Sequence, residues 1–323
     1  MITLEEFDHA AEVVYSAMLP TPQYAWPLLA AELGVDVWVK HENATPTGAF
    51  KVRGGLVFVD RLMRENSSVK GIASATRGNH GQSLAYAARR AGIGCAIVVP
   101  YGNSQEKNAA MRAFGADLIE HGADFDAAKE KVAEIAAERG YEMVPSFHRD
   151  LVKGVGTYSR EFLSSVSDLD TVFVPIGLGS GICGMISARN ALGLKTKIVG
   201  VVSEGAPAYA LSFEAGKVVD SDKAITFADG VAVRGPAQEA FDVIKGGAER
   251  IVRVSDAAIA EAVRLYFRAT HCVAEGAGAA GLAAVMAERE SLRGKKVGVV
   301  LSGQNIDAPW YREILAGGVP TPA

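Results

Sequence analysis

The chain has 323 residues, 49% of them hydrophobic, which is ample for a sizeable core and suggests about two domains. Its formal net charge is -4, from 33 Lys and Arg against 37 Asp and Glu, and no run of like charges suggests a nucleic-acid or polybasic membrane surface. The first ten residues do not read as a signal peptide, apolar runs such as 297–301 are too short to span a bilayer, and Cys95, Cys183 and Cys272 form no C-x-x-C pair, as expected in a reducing cytoplasm.

Taken in chain order, the first segment that suggests chemistry is Lys40 to Gly55. Lys51 follows Phe50 at the end of a small-residue turn and enters a helix. With the cation of Arg53 close by, a depressed pKa and a reactive neutral amine are expected there. The structural alternative is a solvated surface lysine. A strand over 70–75 then leads through Thr76, Arg77 and Gly78 into a helix over 79–91 that begins Asn79-His80. Backbone N–H groups at such a turn converge on one point and suit a carboxylate. The alternative is an ordinary helix start with Asn79 as its N-cap. A strand over 94–99, helices near 104–114 and 124–139, and a strand over 116–120 between them follow.

A strand over 171–176 runs into Gly177-Leu178-Gly179-Ser180-Gly181 and a helix over 181–192. The glycines let backbone approach an anion closely and the helix start adds its dipole, which is the form of a phosphate site. A strand over 197–202 comes next, and residues 211–234 have the weakest periodicity and read as loop-rich. Helices over 256–269 and 276–290 and a strand over 295–301 complete the pattern. Ser302, directly after that strand, offers a hydroxyl to a ligand nitrogen or simply closes an ST-turn.

This alternation implies parallel sheets with helices on both faces, and ligands in such folds bind beyond the carboxyl ends of the strands. All four places named above lie after a strand or at a helix start. Gly179-x-Gly181-x-x-Gly184 also satisfies the dinucleotide fingerprint, and Glu204 ends the following strand where a ribose-binding acid is expected. Taken alone, that segment favours an NAD-dependent dehydrogenase. One small phosphate-bearing cofactor accounts for all four places at once. A non-catalytic amino-acid-binding protein on the same fold is a third reading.

From about Leu19 to Asp307 the chain resembles the fold-type II pyridoxal-phosphate enzymes, in their threonine dehydratase and serine racemase branch. The T-G-S-F-K-x-R-G-A segment of that family matches Thr47 to Gly55, its S-x-G-N-H turn matches Thr76 to His80, and its glycine tetrad matches Gly177 to Ser180. The resemblance implies two open, mostly parallel α/β sheet domains, as in the tryptophan synthase β-chain, with pyridoxal phosphate between them. The large cofactor-binding domain would comprise 1–69 and 150–323, and a small domain over 70–149 would carry the carboxylate turn.

In that scheme Lys51 bears the cofactor and Phe50 packs by its ring. Asn79 bonds its ring hydroxyl, and Gly177, Leu178, Gly179, Ser180 and Gly181 cradle its phosphate. Ser302 faces the pyridine nitrogen, while Thr76, Arg77, Gly78, Asn79 and His80 bind the substrate. The implied reaction is loss of the β-hydroxyl from 3-hydroxyaspartate, threonine or serine, giving a keto acid and ammonia. Freed Lys51 would take the α-proton, and the cofactor phosphate would protonate the departing hydroxyl. A cytoplasmic homodimer is implied as well.

Several departures refine this. Ala49 replaces the usual serine, and Leu178 and Ser180 replace two glycines. Arg77 stands where racemizing relatives carry serine, so racemization is not expected. A guanidinium facing the pocket there suits a second carboxylate, which favours 3-hydroxyaspartate; the alternative is an arginine that points into solvent. The divalent-metal site of the family would begin at Glu204 and the Ala208 carbonyl, but Ala210 replaces its second acid. The sequence ends at Ala323, where biosynthetic threonine deaminases continue into a regulatory domain, so control by isoleucine is not expected.

Overall fold

The β-branched runs read from the sequence form strands, and these strands sort into two separate sheets. A computed structural model describes residues 2–322 apart from Asp124, with the backbone alone for Phe125 and Asp126. The amino-terminal elements are α1 (Leu4–Tyr15), β1 (Gln23–Ala25), α2 (Pro27–Leu33), β2 (Asp36–His41) and α3 (Lys51–Glu65). Next come β3 (Gly71–Ala75), α4 (Asn79–Ala91), β4 (Gly94–Val99), α5 (Gln105–Ala113), β5 (Asp117–Glu120), α6 (Phe125–Arg139) and β6 (Glu142–Met143). The chain continues with α7 (Arg149–Ser165), β7 (Thr171–Pro175), α8 (Ser180–Ala191), β8 (Lys197–Ser203), α9 (Ala208–Ala215) and α10 (Gln238–Gly247). It closes with β9 (Arg250–Val254), α11 (Asp256–Thr270), α12 (Gly276–Glu288), β10 (Lys296–Leu301) and α13 (Ala308–Leu315). Short 3-10 turns lie at Glu42–Ala44 and Asp229–Val231.

One sheet has the order β1-β2-β10-β7-β8-β9 and is parallel except for β1, which pairs antiparallel with β2. The other has the order β5-β4-β3-β6 and is parallel throughout. The central strands are covered on both faces, so they read as continuous apolar runs such as Val297 to Leu301 rather than as alternation. Small residues bring α12 close to its sheet: a Cβ on Gly278 would meet the Gly303 carbonyl oxygen at 2.4 Å. The sequence places a helix start at Asp124, which lies outside the described residues. It also reads 211–234 as loop, whereas α9 reaches Ala215 and a 3-10 turn forms at Asp229–Val231.

Beneath α3 lies a buried cluster of balanced charge. The Arg53 guanidinium donates to Glu42 through Nε (2.7 Å) and Nη2 (3.0 Å), and to Glu161 through Nη1 (2.6 Å) and Nη2 (3.1 Å). Lys40 Nζ adds a second contact to Glu161 at 2.5 Å. Burial alone would raise the Glu161 carboxyl, but Arg53 and Lys40 hold it below the usual carboxylate range. The helix carrying Glu161, α7, runs against α3 with almost no space between backbones. A Cβ on Gly154 would meet the Arg53 carbonyl oxygen at 2.2 Å, and one on Gly54 would meet the Leu151 carbonyl oxygen at 2.8 Å. At the far end of the same pair, Arg61 Nε reaches Asp150 at 2.8 Å.

Removing one member of a buried ion cluster leaves its partner charged and dry, which costs about 3–5 kcal/mol. Glu42→Ala is therefore expected to lower the unfolding free energy in urea by about that amount. Glu65→Ala, which breaks an exposed pair with Arg61 on the same helix, is expected to cost less than about 1 kcal/mol. Equal losses in the two variants would refute the central role given to the cluster.

Candidate active site

Lys51 is the first residue of α3, and backbone pairing sets its position. The Phe50 N–H donates to the Ser302 carbonyl at 3.0 Å, the Gln304 N–H donates to the Gly48 carbonyl at 2.9 Å, and Ala49 bridges Gly303. Ser302 is thereby held beside Phe50 and Lys51. Gly48 adopts φ 69°, and a Cβ there would meet Asn305 Oδ1 at 2.7 Å, so the turn admits only glycine.

The Lys51 ammonium donates to Ser180 Oγ at 3.0 Å and lies 5.1 Å from the centre of the Phe50 ring. Although the residue as a whole is half-buried, its amine is enclosed, and burial pushes it down to about 8. The sequence reading credits Arg53 with this effect, and that is corrected here: the Arg53 guanidinium is taken up by Glu42 and Glu161. Ser180 opens α8 after the glycine turn, where Gly179 has φ 101°. Tyr209 donates to the Leu178 carbonyl at 3.0 Å and Tyr158 to the Gly181 carbonyl at 3.4 Å. The loop carbonyls are thus occupied, and the unpaired N–H groups at the start of α8 remain for an anion.

The turn after β3 faces this lysine. Gly78 donates to Thr76 Oγ1 at 3.2 Å, and a Cβ on Gly78 would meet the Lys107 stem at 2.7 Å. Gly78, not Asn79, caps α4. The Asn79 side chain instead donates to Glu275 Oε1 at 2.7 Å and accepts from Asn305 Nδ2 at 2.8 Å. His80 is buried, and its Nε2 has no partner among the described residues. Burial, and then the nearby Lys51, push its ring down to about 3, so it is neutral. Ser83 Oγ donates to the Lys51 carbonyl at 2.6 Å and ties α4 to α3. Arg77 is exposed and has no carboxylate partner among the described residues.

Three residues that sequence reasoning missed belong to the same place. Buried Lys107 pairs with Asp229, and Glu275 lies beside them. Asp229 falls in the segment with the weakest periodicity, and Glu275 has no partner within its own helix, so neither carries a local signal. Two residues of the nucleotide reading are placed elsewhere. A Cβ on Gly184 would meet Gly156 Cα at 2.9 Å, so this glycine serves the packing of α8 on α7. Glu204 is exposed at the end of β8 with its N–H on the Val254 carbonyl, and Ala208 begins α9. Among the described residues no group of three His, Cys, Asp or Glu side chains could hold a metal ion, and no helix is long and apolar enough to cross a membrane.

Residues 14–303 match the family model described as pyridoxal-phosphate dependent enzyme. The L-threonine ammonia-lyase of Thermotoga maritima is 33% identical over 320 residues, covering 99% of this chain and 79% of that protein. The L-threo-3-hydroxyaspartate ammonia-lyase of Saccharomyces cerevisiae is 32% identical, covering 92% of this chain and 91% of that protein. The chain spans only 58% of the length of the biosynthetic threonine dehydratases it also matches. The solved structure of processed threonine deaminase isoform 2 from Solanum lycopersicum superimposes with a TM-score of 0.89 at 29% identity, covering 97% of this chain and 94% of that one.

The chain belongs to the pyridoxal-phosphate dependent enzymes, and with that the NAD-dependent reading falls away. The residues present fit the cofactor. An enclosed amine, its pKa lowered to about 8, lies beside a glycine turn at a helix start, and among the described residues buried polar atoms of His80 and Glu275 lack partners.

Because the Lys51 amine is pushed down to about 8, its neutral fraction rises through that pH rather than through the ordinary lysine range near 10.5. Recombination of apoprotein with pyridoxal phosphate is expected to accelerate as pH rises to about 8 and then level off. The visible absorbance so formed should be abolished by borohydride, with the label on Lys51, and should not form in Lys51→Ala. Acceleration continuing unchanged towards pH 10 would contradict the enclosed amine.

Proposed function

We propose that this chain eliminates the β-hydroxyl of a hydroxy amino acid, releasing a keto acid and ammonia. The observation that carries this reading is the poised Lys51 amine, enclosed between the Ser180 loop and the 76–80 turn, with Ser302 held beside it. The bound cofactor supplies the electron sink for the reaction. Around it, Phe50 and Ser302 would flank the ring, Asn79 would take the ring hydroxyl, and Gly177, Leu178, Gly179, Ser180 and Gly181 would hold the phosphate. Thr76, Arg77, Gly78, Asn79 and His80 receive the substrate, whose α-carboxylate sits on the turn's N–H groups. Lys51 takes the α-proton as a positioned general base. Ser302, a neutral hydroxyl held beside Phe50, would offer the ring nitrogen an uncharged hydrogen-bond partner. The cytoplasmic location and the homodimer belong to the same proposal, which rests on the family resemblance and on three free cysteines.

Arg77 sets the preference for a substrate with a second carboxylate. A cation at a helix start is unfavourable by roughly 0.3–1 kcal/mol, and the turn's own N–H groups already serve the α-carboxylate. Relatives named for threonine and for threo-3-hydroxyaspartate frame the choice. Keto-acid release is expected to be faster from 3-hydroxyaspartate, which yields oxaloacetate, than from threonine or serine. Arg77→Ser should lower kcat/KM for hydroxyaspartate by about 10- to 100-fold, the worth of a charged hydrogen bond, and barely change that for threonine. A wide wild-type preference for threonine, with equal effects of Arg77→Ser on both substrates, would defeat this assignment.

The segment 70–149 acts as a small domain that closes on the remainder, 1–69 and 150–323, when substrate bridges the two. Supporting this, β3 to β6 form one sheet and all other strands form the second. Small-angle scattering with and without a dicarboxylic substrate analogue should show contraction. Identical profiles would count against closure.

A further inference from the structure

Glu275 is a fully buried carboxyl to which the elimination assigns no task. Its Oε1 accepts from Asn79 Nδ2 at 2.7 Å, while its Oε2 is buried with no hydrogen-bond partner among the described residues. The groups around it come from four elements. Lys107 of α5 is nearest in charge, but its ammonium is engaged by Asp229 of the 3-10 turn, so the two largely cancel. Asn79 comes from α4, and the Asn305 backbone N–H and Gly303 come from the loop after β10. A Cβ on Gly303 would meet Glu275 Oε1 at 2.4 Å, so the carboxyl is packed hard against that loop.

The amide of Asn79 is fixed by this arrangement. Asn305 Nδ2 donates to Asn79 Oδ1 at 2.8 Å, which turns the Asn79 NH2 towards Glu275. One of its two N–H groups is spent on Oε1, and the other has no partner among the described residues. That second N–H is the donor that the proposed site aims at the ring oxygen of the cofactor.

We propose that Glu275 is a positioning residue for that ring: it locks the Asn79 amide and shares a proton, through Oε2, with the ring oxygen Asn79 binds. This rests on the reading that Lys51 and Asn79 hold pyridoxal phosphate. A buried carboxyl oxygen without a partner is unfavourable in the protein alone, and a phenolic oxygen arriving with a ligand would satisfy it. Burial, with Asp229 also pushing up and Lys107 pulling down, raises the carboxyl to about 7. It therefore keeps its proton below neutral pH and is a donor there. Above that pH the ring oxygen loses this donor and retains only the Asn79 N–H.

The protonation of the ring oxygen decides whether the bound cofactor absorbs in the visible or in the near ultraviolet, so the test needs no turnover. Resting holoenzyme should show a spectral step near pH 7, and Glu275→Gln, which keeps the Asn79 contact but cannot ionise, should abolish it or displace it by more than about one pH unit. Identical titrations of wild type and Glu275→Gln overturn the inference while leaving the cofactor assignment standing. A wild-type protein with no cofactor absorbance overturns both. Should Glu275→Gln not hold the cofactor, infrared spectra of wild-type holoenzyme decide: a protonated-carboxyl band lost across the step supports the proposal, and its absence on both sides overturns it.

Discussion

The double grip of two carboxylates on Arg53 is the constraint on which the site depends. Glu42 comes from the 3-10 turn after β2, Glu161 from α7, and Arg53 from the first turn of α3, two residues beyond Lys51. A fully buried guanidinium has few places it can go, because each N–H must find an oxygen and Thr157 Oγ1 takes a further one at 2.9 Å. The start of α3 is therefore fixed in direction as well as position. Lys51 can then present an enclosed amine without needing a charged neighbour of its own.

Everything else in the site is arranged around that fixed start by hydrogen bonds to backbone atoms. The 48–50 segment is zipped to 302–304, α4 is tied through Ser83, and the β7–α8 loop arrives with its carbonyls already occupied by Tyr209 and Tyr158. Four pieces of chain, widely separated in sequence, meet at one amine. The charged residues there are also economical. Lys107 and Asp229 neutralise each other, His80 is neutral, and burial pushes Lys51 down to about 8 and Glu275 up to about 7, each towards its uncharged form.

What could be read from the sequence was whatever is local. The strand–turn–helix units at 71–91 and 171–191 were legible because β-branched runs, a glycine turn and a helix follow one another within some twenty residues. Lys51 meets Ser180 of the second unit directly, and Ser302, just after a strand, is bonded to Phe50. The charged cluster of Lys40, Glu42, Arg53 and Glu161 was not legible as a unit, because Glu161 lies more than a hundred residues from its partners Lys40 and Arg53 and a buried charge looks like a surface charge in a sequence. Glu275 and Asp229 escaped for the same reason. For Asn79 the sequence offers a ligand-binding role or, as the ordinary alternative, a helix cap; Gly78 is the cap, and the Asn79 partners Glu275 and Asn305, some two hundred residues downstream, leave no local trace.

The glycine contact between α3 and α7 has a bearing on how such a chain could change. These helices run antiparallel, since Arg53 meets Glu161 at one end and Arg61 meets Asp150 at the other. The end of α3 and the start of α7 are thus held side by side, so the stretch between them leaves and returns at one place, while α4 packs back on α3. Chain segments whose two ends lie together are those that can be lengthened, shortened or exchanged without disturbing their host. In the four-stranded unit that freedom is confined to the outer loops, because α4 and α5 are bonded to Lys51, Glu275 and Asp229. Residues 51–54 and 151–161, which form the clasp, have no such freedom.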